Sequence, residues 1–400
     1  MMNGRKRIRL GDVILTNNES YSPKEEWSYV NYLDTGSITE SSIVEIQRID
    51  LNAEKLPSRA RRKVKYNSII YSTVRPNQRH FGIIKELPEN FLVSTGFVVI
   101  DVCQEMVDAD YLYFWLSQES IVELLHAIAE QSVSTYPSIK ALDIENLEID
   151  LPPIEEQKKI ASILVELREK IAHNVAINDN LQQQAAALFE SWFVNLDPWN
   201  GVQPSDWENA PLGSFVEIKR GGSPRPIQDY LSDSGLRWLK ISDVTSLNSP
   251  FVLEIKEHIK EDGLRKTVFL HAGELVLSNS ATPGIPKILD VDTCIHDGWL
   301  YFPKSELSKY YLYLFFKHIR KELVALGNGS VFTNLKTDIL KAFPATKADK
   351  STLKEFDALV APLFNAMLNA DRENFKLAAM RDALLPKLMS GEVDVSAVDF

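Results

Sequence analysis

Between Ile154 and Phe193 the seam positions Ile160, Leu164, Leu167, Ile171, Asn174, Asn178, Leu181, Ala185, Leu188 and Trp192 fall on alternating steps of four and three. That heptad spacing predicts a helix packed lengthwise on another helix. At ~1.5 Å per residue such a helix spans roughly 60 Å, which suits a spacer better than a core element. The two asparagines interrupt an otherwise apolar seam, a device that costs stability and fixes register and partner. The same alternation returns near the C-terminus in Phe356, Val360, Leu363, Met367, Ala370, Asn374, Leu377, Arg381, Leu384 and Leu388, each 196 positions after its counterpart. Asn374 thereby corresponds to Asn178. Arg381 against Ala185 departs from the match, and Pro362 calls for a first turn or a kink. The expected arrangement is an antiparallel helix pair within one chain, with Asn178 and Asn374 in the seam and the two chain ends close together.

The segments outside the helices also repeat. Arg9-Leu-Gly-Asp matches Pro211-Leu-Gly-Ser at an offset of 202, and Tyr111-Leu-Tyr-Phe-Trp-Leu matches Tyr311-Leu-Tyr-Leu-Phe-Phe at 200. Pro137-Ser-Ile-Lys140 matches Thr333-Asn-Leu-Lys336, back at 196. Runs such as Ser68 to Val74 and Phe97 to Val102 are rich in β-branched residues and predict strands, and 111–129 reads as helical. Asp197-Pro-Trp-Asn-Gly closes the first long helix with breakers. The order is globule, helix, globule, helix. The predicted fold class is α+β: two α/β globules separated by two long antiparallel helices forming a coiled coil, with an internal pseudo-twofold repeat. The boundaries fall at 1–152, 153–196, 197–348 and 349–391, leaving a tail at 392–400. The offset drifts only inside the globules, so the helices keep one geometry while the globules diverge.

The net charge of −11 excludes a protein that coats nucleic acid by bulk electrostatics. Its distribution changes the picture. From Lys55 to Lys85 there are nine basic residues and no acidic one, so −11 less 9 leaves −20 for the rest of the chain. A local basic stretch in an acidic protein points to a localised anionic ligand. The two cysteines form no metal or redox motif, and no apolar run reaches membrane-spanning length. A reduced cytoplasmic protein with no membrane association is expected. Catalytic motifs fail on inspection. Glu217-Ile-Lys219 and Glu254-Ile-Lys256 resemble the tail of a nuclease motif without its proline–aspartate turn. Leu151-Pro-Pro-Ile lacks the polar first residue and final aromatic of an adenine methyltransferase motif. No phosphate-cradling Gly-Lys-Ser/Thr loop occurs, and no two histidines stand at helical metal spacing.

Pro57-Ser-Arg-Ala-Arg-Arg, Tyr71-Ser-Thr-Val-Arg-Pro, Ser94-Thr-Gly-Phe and Tyr136-Pro-Ser-Ile resemble the first target recognition domain of the specificity subunits of type I restriction–modification enzymes. Leu151-Pro-Pro-Ile-Glu-Glu-Gln-Lys-Lys-Ile-Ala resembles that family's entry to the central helix, and Leu384-Leu-Pro-Lys-Leu-Met-Ser-Gly-Glu-Val its C-terminal helix end. The likeness covers nearly the whole chain, more loosely over 213–250. It implies two target recognition globules, each reading one half of a bipartite, asymmetric double-stranded DNA site, and helices that set the gap and dock two methyltransferase subunits. It implies no catalytic residue, no metal and no cofactor on this chain. S-adenosylmethionine, ATP and magnesium belong to the methyltransferase and the translocase–nuclease subunits. Basic and polar residues in the matching stretches are the DNA-contact candidates, because arginine forks suit phosphates and guanine edges. They are Arg59, Arg61, Arg62, Lys63, Arg75, Arg79, His80, Ser134 and Tyr136 in the first globule, and Lys219, Arg220, Arg225, Ser278, Asn279, Thr282, Asn334 and Lys336 in the second. Two other readings compete: a specificity subunit serving a fused methyltransferase–nuclease, and a protein-only helical scaffold or adaptor. The scaffold leaves the acid-free basic run and the divergent globules unexplained.

Overall fold

The β-branched runs form sheets buried on both faces. The computed structural model describes residues 4–132, 136–326 and 334–397, and the chain divides into two units, Met1–Glu169 with Leu377–Phe400 and Lys170–Lys376. In the first unit, strands Ile14–Thr16, Phe97–Val102, Ile69–Ser72 and Phe81–Ile83 make one antiparallel sheet in that order. Gln47–Asp50, Tyr29–Leu33, Phe91–Ser94 and Ala60–Lys63 make a second, whose two middle strands run parallel. Side chains alternate along a strand, so Phe97–Val102 serves two layers. Phe97 and Val99 pack between the sheets with Leu33, Ile70 and Val93. Val98 and Ile100 face the helical layer, where Tyr111, Leu112 and Leu116 of helix Ala109–Ser117 and Leu125 of helix Glu119–Glu130 are buried.

The second unit repeats this plan with different residues. Val216–Arg220, Trp299–Ser305, Leu275–Ser278, Pro286–Leu289 and Phe251–Val252 form one sheet. Leu231–Ser232, His258–Ile259, Leu236–Leu239, Thr293–Ile295 and Val268–Leu270 form the other, again with its parallel pair inside it. One helix, Lys309–Leu326, stands where the first unit has two. Each globule is closed by an antiparallel strand pair between its entry and its exit: Lys6–Arg9 on Glu148–Leu151, and Glu208–Pro211 on Pro344–Lys347. Leu10 N donates to Leu147 O at 2.8 Å, and Leu212 N to Phe343 O at 2.8 Å. The offset is therefore 202 on one side of the closure and 196 on the other.

The heptad segments form helices Ile154–Phe189 and Lys350–Ser390. In the first unit Ile160 and Leu164 share a core with Leu388, Met389 and half-buried Leu384. In the second, Asn174 Nδ2 donates to Asn374 Oδ1 at 2.9 Å and to Glu373 at 2.7 Å, while Asn178 Nδ2 donates to Asp371 at 2.7 Å and to Met367 O at 3.2 Å. Rising numbers on one helix meet falling numbers on the other, so the pair is antiparallel. Repeat-equivalent positions consequently do not face each other: Asn374 meets Asn174, and Asn178 meets the turn from Met367 to Asp371.

Phe356, Val360 and Met367 are fully buried, and Leu167, Ile171, Leu181, Asn374 and Leu377 are half-buried. The heptad register slips in two places. Phe364 is buried where Leu363 was expected, and Phe189 where Leu188 was. The turn after Phe189, Glu190–Val194, is π-helical, and its wider winding rotates the helix end about its axis. Phe193 thereby comes within 4.8 Å and Trp192 within 5.8 Å of the Phe356 ring. Pro362 lies exposed inside the second helix rather than in its first turn. The N-terminal segment reaches the end of that helix in the first unit, where Arg5 donates to Met389 O and pairs with Glu156 at 3.0 Å.

Candidate nucleic-acid interface

In the first unit the turn at Thr95-Gly96 links the sheets and gathers loops around it. Thr95 N donates to Arg59 O at 2.8 Å, Thr73 N to Gly96 O at 2.8 Å, Ile139 N to Thr73 O at 2.8 Å, and Arg75 N to Pro137 O at 3.0 Å. Arg59, Arg61 and Arg75 are exposed around this turn, and no carboxylate among the described residues lies within ion-pair distance of any of them. Arg75 sits in the left-handed region at φ 48° with its guanidinium 5.5 Å from the centre of the Tyr136 ring, and Tyr136 is 58% exposed. A planar cation beside an exposed ring suits phosphates or stacked bases.

Most of the rest of the basic run is spent internally, Lys55 remaining exposed, and several candidates change role. Lys63 pairs with Glu25 and lies 5.2 Å from the Trp27 ring. Arg79 is held by Glu40 at 2.7 Å, by Glu119, and by Ser117 O at 3.2 Å. Lys65 pairs with Glu19 and Lys85 with Asp110. Arg62 is half-buried, its Nε has no hydrogen-bond partner among the described residues, and burial pushes its guanidinium below the usual arginine range. His80 Nδ1 sits 2.7 Å from Ile38 O and 3.3 Å from Thr39 Oγ1, which makes it a loop tie. Carboxylates distant in sequence thus neutralise part of a stretch that is acid-free in sequence. Ser134 lies outside the described residues.

In the second unit the equivalent turn is Asp297-Gly298. Asn279 N donates to Gly298 O at 2.8 Å and Leu335 N to Asn279 O at 2.7 Å, repeating the Thr73–Gly96 and Ile139–Thr73 bonds. Gly298 is required here, because an added Cβ would lie 2.2 Å from the His296 ring. Asp297 is the centre. Its carboxylate accepts from Ser223 Oγ at 2.7 Å and Arg225 Nη2 at 3.1 Å, and its carbonyl accepts from Arg220 Nε and from Asn279 Nδ2 at 3.3 Å. Burial pushes this carboxyl up, but Ser223, Arg220 and Arg225 more than reverse that and leave it below the ordinary aspartate range. Burial lowers the neighbouring His296 imidazole, whose Nδ1 accepts from Gly298 N at 2.8 Å.

Arg220, Arg225, Asn334 and Lys336 are exposed, and Thr282 is half-buried. Ser278 is a correction: it is fully buried, and its hydroxyl donates to Thr282 O at 2.6 Å and accepts from Ile285 N at 2.8 Å, closing the loop. Asn279 is another. It is 3% exposed and braces the turn, with Oδ1 unpartnered among the described residues. Lys219 pairs with Glu217 at 2.9 Å along its own strand. Sequence reasoning missed Asp297, Ser223 and His296. The Asp-Gly dipeptide before an apolar run was the available signal for the turn.

The family model for the type I restriction modification DNA specificity domain matches residues 2–183 and 204–358. The chain belongs to this family. Each match takes in one globule and its entry strand, so the internal repeat is the family domain used twice. As a specificity chain it supplies recognition of DNA sequence and no reaction chemistry. It is 24% identical to the type I restriction enzyme HindI specificity subunit of Haemophilus influenzae over 98% of this chain and 100% of that one. It is also 24% identical to the MjaIX specificity subunit of Methanocaldococcus jannaschii, over 98% and 93%. The solved S subunit of a type I restriction–modification system from M. genitalium covers 97% of each chain at 15% identity with a TM-score of 0.61, a likeness of fold. No helix among the described residues is long and apolar enough to cross a membrane.

Proposed function

We propose that each globule reads one half of a bipartite DNA site through the loops around its sheet-linking turn, with residues 1–152 and 197–348 as the two readers and the helices at 153–196 and 349–391 as spacer. Two methyltransferase subunits dock on those helices and carry S-adenosylmethionine. Translocase–nuclease subunits bring ATP and magnesium, and the complex works in the cytoplasm. The observation that carries this reading is one backbone arrangement presented twice with different chemistry: Arg59, Arg61, Arg75 and Tyr136 around Thr95-Gly96, and Arg220, Arg225 and Asp297 around Asp297-Gly298. A shared turn arrangement with unlike side chains suits two different half-sites. Phosphate contacts would position each globule, and base-edge contacts would specify it.

The test exchanges residues 1–150 for the matching region of a relative and maps methylation in cells that carry the partner methyltransferase. One half-site changes and the other persists. A simultaneous change in both halves, or in neither, overturns the proposal.

A further inference from the structure

The two interfaces differ in one respect that bears on what they touch. Around Thr95-Gly96 the exposed arginines have no carboxylate at ion-pair distance among the described residues. At the equivalent position of the second unit a carboxylate stands between two arginines. Asp297 is partly exposed, with 38% of its side chain accessible, against 54% for Arg220 and 77% for Arg225. A phosphate approaching this cluster meets a fixed negative charge. A base pair can use that charge: guanine offers N7 and O6 acceptors to an arginine fork, and cytosine offers an N4 amino donor that a carboxylate accepts.

The cluster is also braced from behind. Ser223 fixes one carboxylate oxygen, while Arg220 Nε and Asn279 Nδ2 both hold the Asp297 carbonyl. The Arg220 side chain stays exposed, with Nη2 3.9 Å from the carboxylate, and Arg225 commits Nη2 to it at 3.1 Å. Donors from the end of strand Val216–Arg220 and the loop after it thus stand beside an acceptor on the turn, as a base pair presents its own acceptors and donor side by side in the major groove.

Building on the proposed function, we infer that Asp297, with Arg220 and Arg225, is a specificity-determining cluster that reads a guanine–cytosine pair in the half-site of the second globule. Asp297 orients the arginines, takes the cytosine amino group and repels phosphate. The arginines take the guanine edge. The first globule, with uncompensated arginines, takes more of its binding from the backbone.

The experiment uses the full chain assembled with its methyltransferase subunits and measures methylation across duplexes in which each half-site is randomised in turn. D297N keeps an acceptor for Ser223 and removes the charge. It is expected to cut discrimination at one guanine–cytosine position by about tenfold, in the half-site of the second globule only, while leaving binding to unrelated DNA equal or tighter. R225A relaxes the same position. A uniform change across all sequences with D297N, relaxation at an adenine–thymine position, or an unchanged profile overturns the inference while leaving the two-reader function standing. A wild-type complex with no sequence preference overturns both. R220A separates the two arginine roles: a uniform loss of binding with a flatter salt dependence marks a phosphate clamp and overturns its assignment to the base pair.

Discussion

Replacing Asn178 by leucine tests whether the polar interruption of the helix pair holds it together. In the second unit Asn178 is 6% exposed and donates to two acceptors, the Asp371 carboxylate at 2.7 Å and Met367 O at 3.2 Å. Asp371 has a further donor in Ser249, and burial raises its carboxyl above the ordinary aspartate value, against the pull of Ser249 and Asn178. A hydrogen bond to a charged group is worth about 1.5–3 kcal/mol, and one to a neutral carbonyl about 1 kcal/mol. Leucine returns part of this through apolar burial, so N178L is expected to cost about 2–3 kcal/mol at neutral pH.

The cost depends on pH. With its folded pKa already raised, Asp371 binds its proton more readily in the folded state than in the unfolded state. Stability from this group therefore falls as pH climbs from the ordinary aspartate range, near 3.8, through the folded value. N178L raises the folded value further, so its penalty is small at low pH and complete above that value. Urea unfolding near pH 3.8 and at pH 8 measures it by tryptophan fluorescence, to which Trp192, Trp199, Trp207, Trp238 and Trp299 all contribute from the second unit. In a D371L background the same substitution should cost less than about 1 kcal/mol. A penalty equal at both pH values, or undiminished in D371L, would refute the pairing as the source of stability.

Two further substitutions separate surface from structure. R75A should weaken DNA binding and reduce the salt slope by about one if it meets phosphate, whereas R79A should lower the melting temperature and leave the slope alone, because Arg79 is committed to Glu40 and Glu119; fluorescence titration at three salt concentrations and a thermal melt decide. Lys287, 3% exposed and bonded to Leu247 O and Ser249 O, is pushed down to about 7 by burial and by Lys317 and Arg320, with Asp371 opposing. The unfolded lysine holds its proton to about 10.5, so this group's contribution to stability should increase with pH between those values, and K287M should flatten that rise in a series of urea melts.

The architecture was legible in the sequence because it rests on periodicity. A constant offset of 196 through both helices, against a drifting offset in the globules, is a pattern that geometry must honour. Local register was less legible. The π-helical turn at Glu190–Val194 and the buried Phe364 arise from packing among Phe189, Phe193 and Phe356, which no heptad count contains. Charge was the least legible. Lys63, Lys65, Arg79 and Lys85 met their carboxylates only on folding, and Asp297 became central only because a turn placed it between Arg220 and Arg225.

The strand pairs that close each globule bear on how such a protein changes over generations. Lys6–Arg9 lies antiparallel to Glu148–Leu151, and Glu208–Pro211 to Pro344–Lys347. Wherever the chain leaves for an excursion of well over a hundred residues, it comes back to its own point of departure. Insertions and deletions within the excursion are therefore absorbed before the helix begins, which is why the offset moves from 202 back to 196. Loop closure adds little, about 0.6 kcal/mol for each doubling of a flexible segment. Two crossovers, one at each strand of the pair, are enough to replace everything between them by descent from another gene. If each globule reads its own half-site, as proposed, such an exchange would change one half of the target and leave the residues of the helix pair unaltered.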